Sequence, residues 1–165
     1  MKIGRITISD RASRGEYEDL GGPAIEREVN ACFAETIEWL PRLVADEIPE
    51  ISSALLELID QQDCWIVFTT GGTGPALRDV TPEATRNVLE RELPGLAEAM
   101  RMGTFDRVPT SILSRAVAGI RQRALVVNFP GNPKAIGECL PLIAPALAEA
   151  VTHLRGVRPR LHPRK

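Results

Sequence analysis

From Thr69 to Pro82 the chain reads Thr-Thr-Gly-Gly-Thr-Gly-Pro-Ala-Leu-Arg-Asp-Val-Thr-Pro. This segment follows an apolar run, Asp63 to Thr70, that reads as a buried strand. In an α/β sheet, ligands sit beyond the carboxyl ends of the strands. A glycine-rich turn there lets backbone N–H groups approach a phosphate with no Cβ in the way. Gly71, Gly72 and Gly74 supply that approach, and Thr70 and Thr73 add hydroxyls. The segment has neither the Gly-Lys-Ser/Thr ending of a P-loop nor the Gly-x-Gly-x-x-Gly dinucleotide spacing. Gly71 and Gly72 alone would mark only a tight turn. Thr73, Gly74, Arg78 and Asp79 tilt the reading toward anion binding.

Asp79 stands just before a helix start, and Asp46 stands at the end of another strand, before another helix. Parallel strands would bring both carboxylates to one rim of the sheet. Mg²⁺ takes hard oxygen ligands, often one or two carboxylates plus substrate phosphates. Each residue also reads as an ordinary N-cap aspartate. A third cluster, Asn128-Phe129-Pro130-Gly131-Asn132-Pro133, again joins a buried strand to a helix through a glycine turn and suits an anion or a base edge. Ser9 and Asp10 end the first strand. Ser114 and Arg115 are donors for an anion, or belong to an amphipathic hairpin strand with a surface arginine. His153 and His162 have no partner at ligand spacing, and Trp39 and Trp65 read as packing residues.

These groups need a scaffold, and the pattern supplies one. Ile3 to Ser9 alternates as a strand. Apolar positions follow Pro23 on one helix side. Thr36 to Val44 is strand-like but holds Pro41, which places it at a sheet edge. Ile51, Leu55, Leu58 and Ile59 fall at helical spacing, Thr81-Pro82-Glu83 reads as a helix start with Thr81 as N-cap, and Pro94 starts another helix. Ala124 to Phe129 is a second buried strand. The last helix follows Asn132-Pro133, with Pro141 and Pro145 expected to kink or restart it. Alternating strands and helices predict an α/β fold, a parallel sheet with helices on both faces. The residues divide into a domain over 1–154 and a basic tail over 155–165, read either as a frayed terminus or as an anion-facing arm.

Composition narrows the function. The 165 residues carry 20 basic and 22 acidic side chains, a net charge of −2, so no basic surplus draws the chain to nucleic acid. Aromatics at 4% leave few stacking platforms for single strands. Cys32, Cys64 and Cys139 are scattered, which excludes a disulfide framework and fits a reducing compartment. No targeting signal is visible, and no stretch approaches the roughly 20 apolar residues of a membrane helix. The expectation is a cytoplasmic protein with no membrane partner.

The segment 69–85 resembles the signature of the molybdopterin adenylyltransferases, a family of bacterial single-domain enzymes and of domains in larger plant and animal proteins. Ile-Ser-Asp-Arg-Ala-Ser-Arg-Gly (8–15), Val-Ala-Asp-Glu (44–47), Pro-Gly-Leu (94–96), Leu-Ser-Arg-Ala-Val-Ala-Gly-Ile-Arg (113–121) and 128–140 resemble it too, in the family's order. The resemblance implies a three-layer α/β/α fold with a mostly parallel sheet and a small β-hairpin, assembled as a homotrimer. It implies transfer of AMP from ATP to the terminal phosphate of molybdopterin, with release of pyrophosphate and help from Mg²⁺. Asp46 and Asp79 would be the essential, metal-binding aspartates, and Gly71 to Gly74 would hold phosphates. Ser114 and Arg115 would lie on the molybdopterin side and Pro130 to Pro133 on the nucleotide side, with Ser9 and Asp10 assigned only to substrate. Hand-over of the product to a molybdate-inserting enzyme would follow. The alternative is a non-catalytic molybdopterin-binding protein of the same fold. A dinucleotide-dependent oxidoreductase is disfavoured by the missing fingerprint.

Overall fold

The alternation at the start of the chain becomes β1 (Lys2–Ile8), which turns Ile3 to one side of a sheet and Ile6 and Ile8 to the other. The computed structural model describes residues 1–163. A short helix α1 (Asp10–Ser13) and the longer α2 (Gly21–Cys32) lead to β2 (Glu38–Val44). Then come α3 (Ile48–Leu56), continued by a wider helical turn over Glu57–Gln61, and β3 (Ile66–Thr70). The rest is α4 (Thr81–Arg86), β4 (Arg91–Glu92), α5 (Pro94–Phe105), a 3-10 turn (Pro109–Leu113), β5 (Ala118–Arg121), β6 (Ala124–Phe129) and α6 (Pro133–Arg155).

The six strands form one sheet in the order β2-β1-β3-β6-β5-β4. β2, β1, β3 and β6 run parallel, and β5 runs against both of its neighbours. β5 and β6 form the expected hairpin, turning at Gln122, where φ is +50°. Period-2 alternation sends Ile66, Phe68, Leu125, Val127 and Phe129 against α2, α5 and α6. Val67, Ala124 and Val126 go against α3 and α4. Both faces are covered, as a mostly parallel sheet requires. β2 is an edge strand, and Pro41 pairs in register with Arg5.

Several local expectations give way to packing. Helix α2 begins at Gly21, ahead of Pro23. Asp19 draws the helix start inward: it accepts from Gly22 N at 2.9 Å and pairs with Arg5 at 2.7 Å. Thr81 is the first residue of α4 rather than its cap, which is Val80, and its hydroxyl reaches Gly71 O instead. Residues 111–113 lie in the 3-10 turn, and the hairpin strand starts only at Ala118. Helix α6 runs through Pro141 and Pro145 without a restart. Each proline costs about 3 kcal/mol in a helix interior. The buried row Ile136, Leu140, Ile143, Leu147 and Val151 offsets that cost. By length and composition α6 could also cross a membrane, contrary to expectation, but here that apolar row packs on the sheet.

The tail is fastened as far as His162, whose N donates to Cys32 O at 2.9 Å, and is not frayed there. Leu161 bridges to Phe33, Ala34 N donates to Arg160 O, and Arg160 pairs with Glu35. These partners follow α2, at the end of the sheet where the parallel strands begin, opposite the glycine turns. The anion-facing arm is therefore not formed by residues 155–163; Arg164 and Lys165 lie outside the described residues. Arg155 anchors the tail. Its side chain is only 7% exposed and reaches Asp63 at 2.7 Å, Cys64 O at 2.9 Å and Arg123 O at 2.8 Å. Its guanidinium also lies over Trp65, 5.6 Å from the ring centre. Arg155→Ala should lower stability by about 2 kcal/mol, since it strips two carbonyls of their donor. Urea denaturation reads this directly, and an unchanged midpoint would refute it.

Candidate active site

The site is built where β1, β2, β3 and β6 end. β3 stops at Thr70, and Gly71 turns with φ +100°. A Cβ on Gly71 would lie 2.2 Å from Ile8 O, so no other residue fits there. Gly72 also has positive φ, +61°, and its Cβ position is 2.4 Å from Thr81 Oγ1 and 3.0 Å from Asp46 Oδ1. A Cβ on Gly74 would meet Asp79 Oδ2 at 2.8 Å. Each of these two glycines thus faces one of the two predicted carboxylates. Thr70 Oγ1 donates to Pro130 O at 2.8 Å, which draws the β6 turn in until Gly131 touches Gly71.

Neither aspartate is a helix cap. Glu47 occupies the cap of α3, and Asp79 precedes Val80. Asp46 and Asp10 instead hold each other's backbone. Asp10 N donates to Asp46 Oδ2 at 2.8 Å, and Asp46 N donates to Asp10 Oδ1 at 3.1 Å. Arg78 reaches across with 2.8 and 2.9 Å bonds to Asp10 and a 2.9 Å bond to Glu47. Asp79 Oδ2 accepts from Ala76 N at 2.9 Å. Burial pushes the Asp46 carboxyl above its ordinary pKa, and the nearby charges of Asp10 and Asp79 push the same way. The Asp10 carboxyl is held low by the N–H of Asp46 and by Arg78.

A cleft of about 610 Å³ opens beside the loop. Gly72, Thr73, Gly74 and Asp79 form one wall, and Pro130, Gly131 and Asn132 form another. Met100, Val108, Leu113 and Ala116 make much of its surface apolar. That combination, an apolar hollow with a polar glycine edge, suits a flat ring carrying a phosphate. A smaller cavity of about 190 Å³ lies on the other side of Gly71 and Gly131, with Ser9 and Thr70 in its wall.

Residues 4–149 match the family described as a probable molybdopterin binding domain. The chain belongs to this family. It is 48% identical over 156 residues to a molybdopterin adenylyltransferase of Helicobacter pylori, covering 94% of this chain and 89% of that one. It is equally similar over 153 residues to the Escherichia coli K12 protein of that name, covering 93% and 78%. Among solved structures, the molybdopterin biosynthesis enzyme MoaB of Thermus thermophilus superposes with a TM-score of 0.88 at 40% identity, covering 96% and 99%. The Mog protein of Mycobacterium ulcerans gives 0.85 at 35%, covering 93% and 98%.

Within this family fold, the predicted residues divide by position. Gly72, Thr73, Gly74, Asp79, Ser114, Pro130, Gly131 and Asn132 line the large cleft. Asn132 also caps α6, accepting from Lys134 N at 3.0 Å. Arg115 differs from expectation. Its guanidinium turns away from the cleft to Gly74 O, Asp79 O and Glu83, and so clamps the loop. Asn128 differs too. It is fully buried, donates at 3.0 Å to Thr69 and to Thr85, and accepts from Val117 N. It joins α4 to the sheet. Asp10 faces Arg78, and Ser9 Oγ accepts from Ala12 N at 3.2 Å.

Sequence reasoning missed Lys134 and Arg101, which bring positive charge to the cleft wall from α6 and α5. Lys134 had a readable signal, a cation in the first turn after an Asn-Pro cap. Arg101 had none, because its role depends on the 3-10 turn folding beside α5, where it donates to Ser114 O at 3.2 Å.

Because the Asp46 carboxyl is raised, the folded chain holds its proton more tightly than the unfolded chain does. Ionisation as pH climbs through that window costs stability. Asp46→Asn should therefore melt at or above wild type at pH 7, and the gap should close below about pH 3, where both side chains are neutral. Melting curves at the two pH values check this; a variant less stable at pH 7 would count against it.

Proposed function

We propose that the chain is a molybdopterin adenylyltransferase of molybdenum cofactor assembly. It would join AMP from ATP to the terminal phosphate of molybdopterin and release pyrophosphate. One observation carries the reading: Asp46 and Asp79 face Gly72 and Gly74 of a glycine-rich loop at the edge of a largely apolar cleft of about 610 Å³. The names of the relatives support the same reaction.

The chemistry asks little of a side-chain nucleophile. The attacking phosphate is already an anion near neutral pH, so positioning and charge stabilisation supply most of the rate. Cys139 reaches the cleft wall, but burial pushes its thiol up to about 11, so it stays protonated. Backbone N–H groups of Gly72 to Gly74 and the Thr73 hydroxyl would orient phosphate oxygens, while Lys134 and Arg101 would balance their charge. Apolar residues of the cleft would exclude water from the ring.

Among the described residues, no group of three or more His, Cys, Asp or Glu is arranged to hold a metal. Two carboxylates beside a phosphate loop nevertheless fit Mg²⁺, whose remaining ligands would be substrate phosphates and water. Asp46 and Asp79 would hold the ion, and when bound it would neutralise charge on the α-phosphate and the departing pyrophosphate. The same reading takes a homotrimer as the assembly, the cytoplasm as the compartment and a molybdate-inserting enzyme as recipient of the product.

Pyrophosphate release from ATP and Mg²⁺ on adding molybdopterin tests the reaction. Asp79→Asn should leave the fold intact and slow single turnover at least tenfold, about 1.4 kcal/mol of barrier. Near-wild-type rates in that variant would remove Asp79 from the mechanism. Tight molybdopterin binding without any pyrophosphate release would favour the non-catalytic carrier.

A further inference from the structure

We propose that Arg78 is a positioning residue: acting through Asp10, it fixes the segment that carries Asp46 against the segment that carries Asp79. The inference deepens the adenylyltransferase reading and rests on it for its kinetic arm.

Arg78 immediately precedes Asp79, in a loop closed locally by Ala76 N to Asp79 Oδ2 at 2.9 Å and Asp79 N to Ala76 O at 3.0 Å, with Arg78 itself turned outward. Leu77 is fully exposed, and the Arg78 side chain is 58% exposed. Two arginines stitch this loop down from opposite sides. Arg115 grips it from the β5 side through Gly74 O and Asp79 O. Arg78 grips outward. Its Nε lies 3.1 Å from Asp10 Oδ2, its Nη2 lies 2.9 and 2.8 Å from the two Asp10 oxygens, and its Nη1 lies 2.9 Å from Glu47 Oε1. All three guanidinium nitrogens are engaged, so the group works as a fork on carboxylates rather than as a free phosphate ligand.

The fork ends on a residue that itself orients Asp46. Asp10 N holds Asp46 Oδ2 at 2.8 Å, which leaves Oδ1 facing Gly72. Asp46 N returns a 3.1 Å bond to Asp10 Oδ1. The order Asp79–Arg78–Asp10–Asp46 is therefore a continuous run of peptide and hydrogen bonds between the two functional carboxylates. Asp10, assigned to substrate by its motif, is part of this linkage. Exposed ion pairs add little to global stability, whereas a small misplacement of a reacting group can cost a hundredfold in rate. Loss of Arg78 should therefore be felt in turnover, not in folding.

The experiment compares wild type, Arg78→Gln, Asp10→Asn and the double variant. Arg78→Gln should melt within about 4 °C of wild type. Its kcat for pyrophosphate release should fall at least tenfold, with KM for molybdopterin and for ATP changed less than threefold. The double variant should lose no more than the worse single variant, within a factor of two, as expected for residues acting as one unit. A second readout needs no substrate or metal: backbone hydrogen exchange at Asp10 and Asp46 should quicken at least tenfold in Arg78→Gln, with β1 and β3 amides unchanged. Unchanged exchange at both amides, a rise in KM with kcat preserved, or additive losses in the double variant would overturn the proposal. If wild type itself releases no pyrophosphate, the functional reading fails, and exchange alone decides the linkage.

Discussion

The close approach of Gly71 to the carbonyl of Ile8 is the constraint on which the site depends. The chain leaves β3 with φ +100°, and a side chain there would sit 2.2 Å from a backbone oxygen. Only glycine lets the loop cross the end of β1. That crossing places Gly72 beside Asp46 and Thr81, and Gly131 against Gly71. Sheet pairing lines up the ends of the four parallel strands, and the missing Cβ of Gly71 lets the loop after β3 pass close over the end of β1. The large cleft, the smaller cavity and the two carboxylates are arranged around that point.

The electrostatics are equally local. The net charge of −2 leaves no basic surplus to attract anions. What the site offers an anion instead is backbone N–H groups, hydroxyls and a few cations. Arg115 and Arg78 direct their charge to the protein itself, one to loop carbonyls and Glu83, the other to Asp10 and Glu47. Lys134 and Arg101 remain at the cleft wall. Asp46 is locally unfavourable, a partly buried carboxyl beside two others, raised from its ordinary pKa. Functional sites commonly carry this kind of placement, offset elsewhere in the fold.

Much of the architecture was legible because it rests on periodicity. The buried runs at Ile66–Thr70 and Ala124–Phe129, the edge position of the Pro41 strand, and the helix starts at Pro94 and Pro133 all follow from side-chain pattern and cap chemistry. Failures came where long-range packing outweighed local preference. Two prolines read as kinking or restarting α6, and a row of buried aliphatic residues carries the helix through them without a restart. A basic, proline-containing tail read as loose, yet Arg155 and the Leu161 bridge fasten it far from the glycine turns.

Residue types and spacing in the sequence determined which segments would turn, which strands would be buried and which carboxylates were available, because backbone conformation and burial periodicity are local properties. Whether a polar side chain faces a ligand, a carbonyl or the core was decided only by the tertiary structure. Asn128, Arg115 and Asp10 have the donors and charges of binding residues, and all three are engaged inside the protein, with α4, the glycine loop and Arg78. For Asp10, those partners are Asp46, 36 residues away in the chain, and Arg78, 68 residues away, and only the packed sheet brings them within bonding distance.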